Sequence, residues 1–122
     1  MLNAYNLQVG RSAEDFTERY LRLCGFAILA RNHRIGNIGE IDILAERDDI
    51  VYSVEVKGRS AADQFAGIEG LVSRKKLHRI ISVTSGLLDS TLKNKQNCKI
   101  ILAFVHLAEN IHHTRIVFKT LK

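Results

Sequence analysis

The 122-residue chain has no proline, no internal repeat and no low-complexity stretch. Nothing marks a linker, and the length suits one domain, residues 1–122, with a single core. No run approaches the roughly 18 consecutive apolar residues of a membrane helix. The first residues, Met1-Leu2-Asn3-Ala4-Tyr5-Asn6, lack the basic segment and apolar core of a secretory signal. A cytoplasmic location with no membrane partner is expected. Only two cysteines occur, Cys24 and Cys98, far apart and without metal-ligand spacing, so free thiols are expected. His33, His78, His106, His112 and His113 have no zinc-binding spacing with them. A Gly-x-x-x-x-Gly-Lys-Ser/Thr loop is missing, which argues against nucleoside-triphosphate chemistry. No nucleophile-elbow pattern is present either.

What the chain does have is basic charge, a formal +5. It falls in clusters: Arg31, His33 and Arg34; Arg74, Lys75 and Lys76 with His78 and Arg79; Lys93, Lys95 and Lys99. A polyanionic partner such as a nucleic acid suits this pattern, because lysines and arginines neutralise phosphates. Ordinary solvated surface charge is the alternative for any one cluster.

Two short runs stand among these clusters. Gly39-Glu40-Ile41-Asp42-Ile43-Leu44 and Val54-Glu55-Val56-Lys57 both alternate in the manner of half-buried strands. Glu40 and Asp42 fall on one side of the first, with Ile41 and Ile43 on the other. Glu55 and Lys57 fall on one side of the second. Glu46-Arg47-Asp48-Asp49 between them is turn-forming. A hairpin centred between Asp48 and Asp49 pairs 47 with 50 and 46 with 51. Extended along the strands, that register sets Asp42 opposite Glu55 and Glu40 opposite Lys57. Facing side chains have Cβ atoms roughly 4.5–5.5 Å apart. Two carboxylates at that distance repel unless a proton or cation lies between them. Mg²⁺ and Mn²⁺ suit such a pair, completed by waters and substrate phosphates.

The rest reads as αβββαββ, an α/β chain with a mixed sheet flanked by helices. A helix is expected over 12–24, with Ser12 as N-cap, Gly25 as C-cap, and Phe16, Tyr20, Leu23 and Cys24 as its apolar face. A strand is expected over 26–30, with His33 as its furthest extent. The next strands run near 39–46 and 50–57, with a loop over 58–64 at the Lys57 end. A second helix is expected over 73–88. Residues 99–105 form an almost continuous apolar run, as in a strand covered on both faces, and 111–118 form the last strand.

Asp42 followed by Glu55-x-Lys57 resembles the active site of the PD-(D/E)xK nucleases. More specifically, most of the chain resembles the uncharacterised bacterial YraN family, which is similar to archaeal Holliday-junction resolvases. The resemblance is carried by Gly10-Arg11-Ser12-Ala13-Glu14-Asp15, Tyr20-Leu21, Gly25-Phe26, Ala30-Arg31-Asn32, Gly39-Glu40-Ile41-Asp42, Val54-Glu55-Val56-Lys57 with Arg59, and Arg74-Lys75. Two departures stand out: Ala13 replaces a usual glycine, and Asn97-Cys98-Lys99-Ile100-Ile101 replaces an Arg-Phe-Asp element.

The resemblance implies a restriction-endonuclease-like domain that hydrolyses phosphodiesters in branched or structured DNA, with RNA left open. Asp42 and Glu55 would hold Mg²⁺ or Mn²⁺, joined by the backbone carbonyl of Val56 and by Glu14. Lys57 would assist the attacking water or stabilise charge on the phosphate. Arg31, Arg59 and Lys75 are the candidate phosphate contacts, and Glu40 lies just outside the metal pair. Resolvases act as homodimers, so a homodimer is expected, with the last strands as its interface. The alternatives are a nucleic-acid-binding module that keeps the fold without turnover, and an interaction adaptor in which Asp42, Glu55 and Lys57 form only a polar network. For Glu14 alone, the modest alternative is a first-turn acid facing the helix dipole.

Overall fold

A computed structural model describes residues 4–37, 39–60, 78, 79, 82, 98–109 and 113–120, with side chains from residue 8 onward except that of residue 60. Its elements among the described residues are the helix α1 (Ala4–Leu23) and the strands β1 (Ala27–Ile35), β2 (Gly39–Arg47), β3 (Ile50–Ser60), β4 (Cys98–Leu107) and β5 (Arg115–Thr120). The strands form one sheet in the order β1-β2-β3-β4-β5. All neighbours are antiparallel except β3 and β4, which run parallel. This is the mixed α/β arrangement expected. Of the residues 73–88 expected to form a second helix, only His78, Arg79 and Ser82 are described, and their backbone is helical; the rest lie outside the described residues.

Helix α1 ends as its sequence dictates. Gly25 takes φ +87°, a region open to glycine. Its N–H donates to the Arg22 carbonyl, and that of Phe26 to the Leu21 carbonyl. This is a Schellman cap, with the usual apolar contact between Leu21 and Phe26. The start differs from the expectation. The helix begins at Ala4, so Ser12 and Glu14 lie in its interior and Glu14 has no first-turn role.

The buried face differs too. Ala13, Thr17 and Leu21 are buried, whereas Tyr20 and Leu23 are 40% and 87% exposed. Size, not hydropathy, decides this. A Cβ on Gly58 of β3 would lie 2.6 Å from the Ala13 Cβ and 3.2 Å from the Val9 carbonyl oxygen. The helix therefore sits directly on β3 through small residues. Thr17 keeps the stripe polar-satisfied by donating to the Ala13 carbonyl at 2.8 Å.

The β2–β3 hairpin has the expected register, from Arg47↔Ile50 to Ile43↔Val54. Asp48 and Asp49 have φ of +52° and +62°, as a two-residue type I′ turn requires. Beyond Ile43↔Val54 the ladder stops. Glu40 thus faces Arg34 of β1, not Lys57. β3 continues instead along β4, from Val51↔Cys98 to Ser60↔Leu107. Residues 58–60, expected in a loop, are strand for this reason; 61–64 lie outside the described residues.

Ile43, Ala45, Val54 and Ala103 pack under Leu21 of α1, with Tyr52, Ile116 and Phe118 beside them. Leu44 and Val51 form a second cluster with Ala30, Ile35 and Cys98. Ile41 belongs to this second cluster and not to that of Ile43, against simple alternation. Across the β1–β2 pair the register shifts once, between Ile28 and Ala30, and further along Asn32 has φ +51° while the ladder passes from Arg31↔Ile43 to His33↔Ile41 without pairing Asn32 to Asp42. The apolar run of β4 is buried as expected, from Leu102 to Val105. The last strand starts at Arg115; residues 110–112 lie outside the described residues.

Two glycines test the α1–β3 contact. Gly58→Ala should destabilise the protein by about 1–3 kcal/mol, the usual cost of overpacking a core contact, and Ala13→Gly should recover part of the loss. Gly10→Ala should instead stabilise by about 0.5–1 kcal/mol, because nothing lies within 4 Å of a Cβ at that helical position. Urea unfolding of the variants measures both.

Candidate functional site

Where β2 and β3 part, β3 is left with N–H groups that no strand on that side receives. Asp42 answers one of them: its Oδ2 accepts from the Val56 N–H at 2.8 Å. A side chain thus replaces a ladder bond at the mouth of the fork. The same position brings Asp42 against Glu55. Burial, and after it the charge of Glu55, pushes the Asp42 carboxyl up to about 7 from an ordinary 3.8. The Val56 N–H pulls the other way, and the charge of Glu14 adds a smaller push upward. A hydrogen bond between the Asp42 and Glu55 side chains fits one proton held by the pair.

A cavity of about 380 Å³ opens here, lined by Arg34, Gly39, Glu40, Asp42, Glu55 and Arg79. Strand alternation places Lys57 two residues from Glu55 on the same face of β3, and it is half-buried. Arg34 and Glu40 pair loosely across β1 and β2 at 3.9 Å.

The remaining expected residues divide. Glu14 reaches Asp42 through its field, but its Oε1 accepts from Arg31 Nη2 at 3.1 Å. Arg31 also donates from Nη1 to Asp15 at 2.8 Å and to Glu18 at 3.3 Å. This guanidinium ties β1 to three acids of α1 and is not in the cavity lining. Arg59 is half-buried on β3 beside His106 of β4. Lys75 lies outside the described residues. The arginines that do line the cavity, Arg34 and Arg79, stand out in no way within their basic clusters. The β1–β2 register is the signal for Arg34, because pairing Ile35 with Gly39 sets it opposite Glu40 and two residues from Asp42.

Among the described residues no three His, Cys, Asp or Glu side chains gather into a metal-binding group. Two neighbouring carboxylates nevertheless match a hard divalent ion, which takes one or two of them plus water and phosphate oxygens. Asp42 Oδ2 is held by the Val56 N–H, which fixes the orientation of the carboxylate. The raised carboxyl marks a place where positive charge is wanted.

The sequence profile of the uncharacterised protein family UPF0102 matches residues 13–112. The chain belongs to this family. The membership agrees with the YraN resemblance carried by the motifs. A UPF0102 protein of Dictyoglomus turgidum is 40% identical over 91 residues, covering 75% of this chain and 72% of its own. One of Persephonella marina is 34% identical over 110 residues, covering 89% and 91%, and one of Hahella chejuensis is 30% identical over 105 residues, covering 86% and 83%. The family description names no activity. No helix among the described residues is long and apolar enough to cross a membrane.

The Asp42 carboxyl gives the protein a pH signature. It binds its proton more tightly folded than unfolded, so this group's contribution is full below about pH 4 and is lost as pH rises through about 7. Asp42→Asn keeps an oxygen for the Val56 N–H and cannot ionise. It should be more stable than the wild type by about 2–4 kcal/mol at pH 8, with the difference vanishing near pH 4. Parallel denaturation curves across that range measure it.

Proposed function

We propose that this protein is a Mg²⁺- or Mn²⁺-dependent endonuclease-like enzyme that hydrolyses phosphodiester bonds in structured DNA. One observation supports this above the others: Asp42 and Glu55 are pressed together, half-buried, in a cavity rimmed by Arg34 and Arg79. An acidic centre with a basic rim suits a metal-bridged phosphodiester. Asp42 and Glu55 would hold the ion, and the bound ion would activate water and neutralise charge on the phosphate. The Val56 N–H fixes the Asp42 carboxylate in place, so no reorganisation is needed when a cation arrives. Lys57, on the Glu55 face of β3, stands to stabilise charge developing on the phosphate. Arg34 and Arg79 would take the flanking phosphates, in the bidentate way that favours arginine there. Glu14 serves from behind Arg31, adding negative field at Asp42. The restriction-endonuclease-like fold, the action on DNA rather than RNA and the homodimer complete this reading, and rest on the motif resemblance.

A second reading, a nucleic-acid-binding module without turnover, is favoured by a different observation. Glu14 is engaged by Arg31, and no third acid joins the pair among the described residues.

The deciding experiment incubates the protein and its Asp42→Asn variant with labelled four-way-junction, flap, single-stranded and duplex DNA, with Mg²⁺, Mn²⁺ or EDTA. Metal-dependent cleavage is expected, lowered in the variant by about 100-fold or more. Binding should persist in the variant and weaken steeply with salt. Salt-sensitive binding with no cleavage under any condition would replace the enzyme by the binding module.

A further inference from the structure

Asp42 is released by its neighbours on both sides at once. Toward β3, the ladder ends one pair before it, at Ile43↔Val54. Toward β1, the register brings Asn32 opposite Asp42, yet these two do not pair, although Arg31↔Ile43 and His33↔Ile41 on either side do. Asn32 is also the one described non-glycine residue inside a strand with a positive φ, +51°. The other two, Asp48 and Asp49, make the turn between β2 and β3. Left-handed backbone within a strand rotates the local peptide planes; here the ladder skips this one pair while its register carries on unshifted to Ile35↔Gly39. The downstream consequence is visible in the core, where Ile41 packs with Leu44 and Val51 and not with Ile43. The carboxylate of Asp42 is correspondingly turned toward β3, where Oδ2 meets the Val56 N–H.

The geometry points to Asn32 as the positioning residue of this site: its left-handed backbone unpairs β1 from Asp42 and so lets the carboxylate bridge the β2–β3 fork beside Glu55. Asparagine fits the task because its short polar side chain tolerates this region, which β-branched residues avoid. Its exposed side chain is not what acts. The backbone angle acts, through Asp42. A residue that prefers extended backbone would restore the Asn32↔Asp42 pairing, draw the Asp42 backbone back toward β1 and leave the Val56 N–H without its acceptor. The metal-site role of Asp42 rests on the function proposed above. The positioning of Asp42 by Asn32 does not.

Three variants test it: Asn32→Gly, which keeps the left-handed region open, Asn32→Val, which closes it, and Asn32→Ala, a milder form of the second should the valine variant fail to fold. Two readouts are taken on each folded protein, hydrogen exchange at the Val56 amide and Mn²⁺ affinity by titration calorimetry at pH 8. The glycine variant should match the wild type within about twofold in both. The valine variant should lose about tenfold or more in Val56 protection relative to the amides of β4, with a parallel loss in Mn²⁺ affinity, and alanine should fall between. Val56 protection unchanged in the valine and alanine variants, or lost equally in the glycine variant, would overturn the proposal. A wild-type protein that binds no Mn²⁺ would overturn the metal site instead, while the Val56 amide still decides on Asn32.

Discussion

The bond from the Val56 N–H to Asp42 Oδ2 is the constraint on which this arrangement depends. A sheet that opens to admit a ligand leaves strand N–H groups unpaired. A buried N–H without an acceptor costs on the order of 1–3 kcal/mol. The chain answers with a carboxylate, a stronger acceptor than an amide oxygen. That choice settles one problem and creates another, because Glu55 stands alongside. Burial, and after it the charge of Glu55, raises the Asp42 carboxyl to about 7, so the pair accommodates a proton near neutral pH.

The fork is held from the helix side by two devices of different kind. One is steric. Gly58 and Ala13 bring α1 onto β3 at a distance that larger side chains forbid, so the helix cannot drift relative to the strand bearing Glu55 and Lys57. The other is electrostatic. Arg31 spans from β1 to Glu14, Asp15 and Glu18. It is partly shielded, and three acceptors on one planar guanidinium restrict it more than a lone surface pair would. Together they fix α1 against both arms of the opening, β1–β2 on one side and β3–β4 on the other. They also keep the charge of Glu14 near Asp42 without bringing its carboxylate into the pair.

Much of this was legible in the residues, for reasons that can be named. The β2–β3 register followed from Asp48-Asp49, since aspartate tolerates left-handed backbone and a two-residue turn then fixes every pair above it. The Gly25 cap and the buried β4 run are similarly local. The face of α1 was not legible, because hydropathy ranks Tyr20 and Leu23 above Ala13 and Thr17. The deciding quantity is the gap left by Gly58, forty-five residues further on in the sequence than Ala13. The helix start was hidden for a related reason: Ser12 reads as a cap only if the preceding turns are ignored. Alternation placed Asp42 on the Glu55 side but could not foresee that both ladders would let it go. That needs the φ of Asn32, which no periodicity carries. Arg34 entered the cavity through the register of the first hairpin, where Gly36 sits at a positive φ of 46°.

Consider what an apolar residue at 42 would do. A valine there would continue the β2 pattern and need no acceptor from β3. It would bring neither a raised carboxyl nor a neighbour that repels it. Strands zipped to the end would bury more backbone and expose less, and the left-handed angle at Asn32 would lose its purpose. A domain of this size has only about 5–15 kcal/mol of net stability, and the Asp42–Glu55 pair consumes a visible share of it above neutral pH. Unfavourable local choices that reinforce one another at one point in a fold, while every other level of the sequence agrees with it, are the mark of a site kept for what it binds. A proton can relieve this pair, but protons are scarce above pH 7. A divalent cation would relieve it there, bringing the positive charge that the Arg34 and Arg79 rim alone does not place between two carboxylates, and under the function proposed above a phosphodiester would complete the coordination of such a cation while meeting those arginines.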